Sequence, residues 1–268
     1  MKKLLLLIII ILLKLNANNY NQTIHICDDE NEWPPFTYYK RIDGHKDKQH
    51  LIGAMTEFLN VIFKKIGTKY TLTLMPWKRC TYLVYSYKKA SKKYEMFING
   101  TYNKDRAKKY YISKPVYFTY QAVFYSKNKY PNGIIHNGKW NINKYKICDV
   151  NGYNINSYYT KLGLKKSKKI DQEAGSFESV LKKISVGRCD LVVASEANIY
   201  GAEKIGKYKI PKDIASQRIP NLKPTAFYIF ISKDYPNAKK LLKEINKAID
   251  ELKKDGTYKR IFTKYNVY

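Results

Sequence analysis

The chain has 268 residues, with 50 Lys and Arg against 22 Asp and Glu, a formal net charge of +28, and 15% aromatic residues. Such a basic excess raises nucleic acid as a partner. The lysines, however, are spread along the whole chain without a run of five basic residues, and no zinc-finger, basic-zipper or RNA-binding aromatic pattern accompanies them, so no nucleic-acid partner is expected. Attraction to acidic solutes or anionic lipid stays open.

Two lysines precede ten consecutive apolar residues, Leu4 to Leu13, and small or polar residues follow up to Asn19. A spanning helix needs about 20 apolar residues, so the run predicts an export signal over residues 1–17, removed after Ala17 or kept as an anchor. Cys27 follows Ile24, His25 and Ile26, which is no lipidation box. The rest of the chain is long enough for one large domain or two of ordinary size.

Thr23 to Cys27 reads as a strand leaving into a polar loop at Asp28, Asp29 and Glu30, and the loop continues through Trp33, Pro34, Pro35 and Phe36. Met55, Phe58, Leu59, Ile62 and Phe63 recur at helical spacing over residues 54–66, and Gly67 marks the stop. Tyr70 to Met75 predicts a strand, a helix starts near Trp77, and Tyr94 to Ile98 predicts a third, buried strand. Strand and helix in alternation imply a parallel sheet covered on both faces. The rhythm returns with strands at 145–150 and 189–194 around a helix at 177–186 that Gly187 ends. Two extended segments, 117–125 and 226–231, read as crossings between the two α/β units. The final helix begins at Pro236 and carries Leu241, Leu242, Ile245, Ile249 and Leu252 on one stripe, and a short helix over 258–265 closes the chain.

Five pieces of sequence carry a family resemblance: Trp33-Pro34-Pro35-Phe36; Gly53 to Phe58 with Gly67; Met75-Pro76-Trp77-Lys78-Arg79; Asn103 to Arg106 followed by Ser113-Lys114-Pro115-Val116-Tyr117; and Asp255-Gly256-Thr257-Tyr258. In this order the chain resembles the extracytoplasmic solute-binding proteins of polar-amino-acid ABC importers, in a subgroup with a Pro-Trp-Lys-Arg helix start. The resemblance implies an α/β fold of the periplasmic binding protein-like type II, two α/β lobes joined by two hinge strands. Lobe one is placed at 20–118 plus 224–268 and lobe two at 119–223, with a small-molecule ligand between them. It further implies a monomer outside the cytoplasm, an ABC transporter permease as partner, and no catalysis.

By that resemblance Arg106 clamps a ligand carboxylate, and a planar guanidinium suits a carboxylate through two parallel hydrogen bonds. Thr101 and Asn99 assist it; Trp33, Phe36, Trp77 and Tyr117 supply apolar walls. Gly152, Tyr153 and Asn154 follow a strand and precede an expected helix, a place that presents N–H groups to an anion. Five residues beyond Asp190, where amino-acid binders of the family hold the ligand ammonium with an aspartate, this chain has Ser195, with Glu196 beside it. Either Glu196 takes that role or the ligand lacks an α-ammonium.

Cys27 and Cys80 end the first strand and begin the second helix, a placement that predicts a disulfide between them. Without CxxC spacing no zinc site is expected, and Cys148 and Cys189 are left as either a second bridge or buried thiols. The four histidines, His25, His45, His50 and His136, form no metal-ligand or catalytic pattern, and no cofactor-binding motif is present. A prephenate or arogenate dehydratase-like enzyme on the same fold, or a ligand-sensing module, is the alternative reading.

Overall fold

The computed structural model describes residues 23–154 and 159–268. The expected export signal lies outside the described residues, as does the helix expected after Asn154. No helix among the described residues is long and apolar enough to cross a membrane.

Two sheets organise the chain. The first contains β1 (Ile24–Asp29), β4 (Tyr70–Met75), β5 (Met96–Thr101), β6 (Tyr110–Ile112), β7 (Tyr117–Thr119) and β13 (Thr225–Ser232), in the order β4-β1-β5-β13-β6 with β7 also on β13. β1 runs parallel to β4 and β5, whereas β13 is antiparallel to its neighbours. The second contains β8 (Gln121–Ser126), β9 (Ile147–Val150), β10 (Ile170–Ala174), β11 (Leu191–Ser195) and β12 (Ile214–Arg218), in the order β10-β9-β11-β8-β12. A hairpin of β2 (Tyr38–Ile42) and β3 (His45–Ile52) stands apart.

In the first lobe, α1 (Ala54–Ile66), α6 (Ala238–Lys254) and α7 (Thr257–Lys264) cover one sheet face, burying Met55, Phe58, Leu59, Ile62, Leu241, Ile245, Ile249 and Phe262 against Ile24, Ile26 and Ile98. The other face packs Cys27, Phe97 and Phe230 against Cys80 and Val84 of α2 (Trp77–Tyr85). Disulfides join Cys27 to Cys80 and Cys148 to Cys189, with Cα atoms 5.7 and 5.9 Å apart.

The second sheet is apolar on both faces, as a sheet sandwiched between layers must be. Along β8, Ala122 and Phe124 face α4 (Phe177–Ser185) and α5 (Glu196–Lys204) with Val180, Leu181, Ile184 and Ile199; Val123 and Tyr125 face the opposite layer with Ile134, Ile142 and Tyr159.

The chain passes between the sheets twice, from β7 to β8 and from β12 to β13. The stretch 226–231, read from sequence as a crossing, lies inside the first sheet, paired with β5 and β6. The actual crossing is residues 219–224. An apolar strand and an apolar linker look alike in sequence, and only the pairing partner separates them.

Candidate functional site

The carboxyl ends of β1, β5, β9 and β11 meet in one cleft, the usual ligand position on open α/β sheets. Its walls comprise Asp28, Asp29, Trp33, Trp77, Asn99, Thr101, Arg106, Asp149, Tyr153, Asn154, Phe177, Val193, Ala194, Ser195 and Phe227. Both lobes contribute.

Arg106 sits on α3 (Lys104–Lys109), a short helix whose N-cap, Asn103, accepts a hydrogen bond from the Arg106 backbone at 2.6 Å. This cap turns the arginine back over the end of β5, where Nη1 donates to the Thr101 carbonyl at 2.8 Å. The guanidinium carbon lies 5.4 Å from the centre of the Trp77 ring and 5.7 Å from that of Phe230, so aromatic faces hold its plane. Asn154 reaches across from the second lobe and donates to Thr101 Oγ1 at 2.9 Å. Arginine, hydroxyl and amide thus converge at one end of the cleft.

The loop after β1 forms the other end. Hydrogen bonds from Ala54 N to Pro35 O and from Met55 N to Phe36 O, both 2.9 Å, seat this loop on the N-terminus of α1. Trp33 faces Phe227, Tyr153 and Phe177 at ring separations of 5.6, 6.2 and 6.2 Å. Phe36 and Tyr117, expected as walls, stand one layer behind: Phe36 stacks on Tyr117 at 4.0 Å and Tyr117 on Phe227 at 4.9 Å, with both rings buried. Phe227 presents the front of that stack, so the first two belong to the core. Asn99 links core to cleft, accepting from the Tyr117 hydroxyl at 2.7 Å and donating to Asp28 at 2.6 Å.

Three acids on the wall were missed from sequence. Burial pushes the Asp28 carboxyl well above its ordinary range, despite the hydrogen bonds it accepts. Burial likewise raises Asp29, against bonds from the Asn31 backbone and the Tyr153 hydroxyl. Asp149 is pushed by burial to about 7, although Val150 N donates to it at 2.7 Å. Their signal was present: Asp28 and Asp29 are the last two residues of the parallel strand β1, and Asp149 is the penultimate residue of the parallel strand β9.

Several expectations for the second lobe need correction. Glu196 is turned out of the cleft, because Arg218 on β12 binds its Oε2 at 2.5 Å through Nη2 and at 3.0 Å through Nε. Ser195 does reach the cleft, yet its hydroxyl caps α5 by accepting from Asn198 N at 3.4 Å. The Gly152 turn gives no row of free N–H groups: Asn151 N donates to Ala174 O at 2.8 Å and Tyr153 N to Val150 O at 3.2 Å. Gly152 itself packs against the Lys78 side chain, outside the cleft wall. The contribution of this turn is made by the Tyr153 and Asn154 side chains.

The lobes are also tied beside the cleft. Asn31 Nδ2 donates to Gly175 O at 2.7 Å, Asn198 Nδ2 to Pro34 O at 3.1 Å, and Lys207 Nζ to Asn31 O.

Among curated proteins nothing matches the chain. Among solved structures it is similar to an ancestral arginine-binding protein bound to arginine, at 22% identity and a TM-score of 0.68, covering 91% of this chain and 97% of that one. A histidine kinase sensor domain with similarity to periplasmic binding proteins is 15% identical, with a TM-score of 0.69 and coverage of 91% and 96%. An ancestral amino-acid-binding protein, a precursor of cyclohexadienyl dehydratase, is 17% identical, with a TM-score of 0.66 and the same coverage. These likenesses show the fold, the periplasmic binding protein-like type II. The profile of one family matches residues 26–267, and the chain belongs to that family, the bacterial extracellular solute-binding proteins, family 3.

Proposed function

We propose that the protein captures a small carboxylate-bearing solute, an amino acid or a close relative, by closure of two lobes, and hands it to an ABC importer outside the cytoplasm. The lobes are residues 20–118 with 224–268, and 119–223, and the two crossings between the sheets are the hinges. The observation that carries this reading is Arg106, held over the end of β5 by Thr101 and the Trp77 ring and met from the other lobe by Asn154. Such a site binds a carboxylate through a planar, preformed cation. It acts as a monomer and without catalysis.

Ligand would first meet lobe one at Arg106; lobe two would then close over it and gain the contacts of Tyr153 and Asn154. The ligand stabilises the closed form by its differential affinity for it. The importer is assigned from the family. Ligand sensing is the second reading, favoured by the likeness to the kinase sensor domain.

Calorimetric titration of the purified protein with L-amino acids and simple carboxylates tests the proposal. At least one should bind, and Arg106→Ala should weaken it by about 30-fold or more, the usual consequence of losing about 2 to 5 kcal/mol from a buried charge pair. Unchanged affinity in the variant would remove Arg106 from the site and the proposal with it.

A further inference from the structure

Between Glu57 and Glu95 the chain carries nine basic residues and no acid, and the fold gathers most of them at one end of the first lobe. β1, β4 and β5 are parallel, so their amino ends lie together on the side away from the cleft. α1 ends just before β4 and α2 before β5, which brings Lys64, Lys69 and the turn carrying Lys88, Lys89, Lys92 and Lys93 to that same end. The described chain also enters there. Ile24 N donates to Lys69 O and Glu95 N to His25 O, both at 3.0 Å, and the His25 ring lies 6.4 Å from Tyr94, over which Lys92 Nζ stands at 5.5 Å.

Some of these lysines have a structural task. Lys93 Nζ donates to the Tyr87 and Lys88 carbonyls at 2.6 and 3.0 Å, Lys88 pairs with Asp234 at 3.3 Å, and Lys65 with Glu251 at 2.9 Å. Lys64, Lys69, Lys89 and Lys92 are exposed, and none of the four makes an ion pair with an acid among the described residues. A merely solvated face mixes its signs, as α6 does, where Asp250 pairs with Lys114 and Glu251 with Lys247. Here like charges stand together uncompensated, and such a surface is complementary to a sheet of anions.

The apolar run Leu4 to Leu13 says which sheet of anions this is. It is separated from the described chain by residues 14–22, a stretch that spans at most about 35 Å, so a run seated in a bilayer holds this end of the lobe near the headgroups. Stable attachment to a membrane combines an apolar anchor with a basic patch, because one signal alone is weak. We propose that the amino-end face of the first lobe docks on anionic phospholipid headgroups through Lys64, Lys69, Lys89 and Lys92, with the cleft turned away from the membrane. The cleft mouth then faces the medium from which solute arrives. This docking goes beyond solute capture and does not rest on it.

The test is co-sedimentation of the full chain with vesicles of phosphatidylcholine alone and of phosphatidylcholine mixed with phosphatidylglycerol, at low and high salt. The neutral vesicles give the share due to the apolar run. Partition onto the anionic vesicles should be much stronger and should fall with salt. Each lysine near an anionic surface contributes roughly fivefold, so the joint variant Lys64→Gln, Lys69→Gln, Lys89→Gln, Lys92→Gln should lose about 30-fold or more of the anionic share. All four side chains are exposed, and the melting temperature should not change. A second variant, Lys139→Gln, Lys204→Gln, Lys209→Gln, Lys212→Gln, removes the same charge from exposed positions of the second lobe and should keep most of the partition. Equal losses in the two variants would mean that overall charge and not this face binds lipid, and would overturn the inference. Partition indifferent to phosphatidylglycerol would do the same, as would uptake of a duplex DNA oligonucleotide by this face in place of the vesicles. None of these results touches the solute-binding reading, which the titrations above test separately.

Discussion

The Tyr153 hydroxyl, carried by the second lobe, donates to Asp29 Oδ2 on the first at 2.7 Å. If the lobes open and close as proposed, this bond is made in the closed form alone, and its free energy adds to closure and not to the folding of either lobe. Burial, and after it the Asp29 charge, pushes the phenol well above its ordinary range, so it remains a donor. Tyr153→Phe should weaken closure by about 1.5 to 3 kcal/mol, the range for hydrogen bonds to charged groups, and so lower the ratio of closed to open molecules by roughly tenfold or more. Small-angle scattering of the ligand-free protein should show a larger radius of gyration, with lower affinity in titration. If neither changed, the bond would contribute nothing to closure.

The Cys27–Cys80 bridge ties the second helix to β1, the strand that delivers Asp28 to the cleft, across 53 residues of chain. Both cysteines are fully buried. Replacing both with Ala should destabilise the protein by about 2 to 4 kcal/mol, through a less constrained unfolded chain. For a protein of this size that means a melting temperature lower by roughly 5 to 15 °C. Scanning fluorimetry without reductant measures it, and an unchanged transition would mean that the bridge does not restrain the unfolded state.

Sequence patterning located those elements whose burial is one-sided or complete. α1 was readable from the spacing of Met55, Phe58, Leu59, Ile62 and Phe63 and from Gly67, which ends the helix at φ 68°. Polar strands were not: β10 (Ile-Asp-Gln-Glu-Ala) and β12 (Ile-Ala-Ser-Gln-Arg) form the two margins of the second sheet, and the β2–β3 hairpin is mostly exposed. Such strands carry polar residues on both faces and leave little period to find. The same limit explains Glu196, because its partner Arg218 sits on the unrecognised β12. Arg106, Thr101, Trp33 and Trp77 were legible through motifs. Phe177 and Phe227 were hidden in a chain where 15% of residues are aromatic.

Gly53 shows how closely the cleft loop is seated. Its φ is 122°, outside the range side chains favour, and a Cβ there would overlap the carbonyl of Phe36. Gly53→Ala therefore strains the backbone and pushes the Trp33 loop off the N-terminus of α1. A cost of about 1 to 3 kcal/mol is expected from the backbone alone. Titration should show weaker ligand binding along with the lower melting temperature. Full stability in this variant would mean that the loop moves aside freely, and that Trp33 is not held in place by α1.

Asp149 gives the protein a pH dependence of known sign. Its carboxyl titrates near 7 in the folded protein because burial disfavours the charge, against about 3.9 in an unfolded chain. Between these values the folded state holds a proton that the unfolded state has released, so stability from this group is complete below about pH 4. It is lost as pH rises through 7, with a slope of at most about 1.4 kcal/mol per pH unit. Burial shifts Asp28 and Asp29 the same way, whereas the lowered Glu32 and Asp190 act in the opposite sense. The wild type alone therefore does not isolate Asp149, but its difference from Asp149→Asn does. The variant is neutral at every pH, so its melting temperature relative to wild type should climb from pH 5 to pH 8. A difference constant across that range would mean that Asp149 is ionised throughout and that the cleft carries a full extra negative charge at neutral pH.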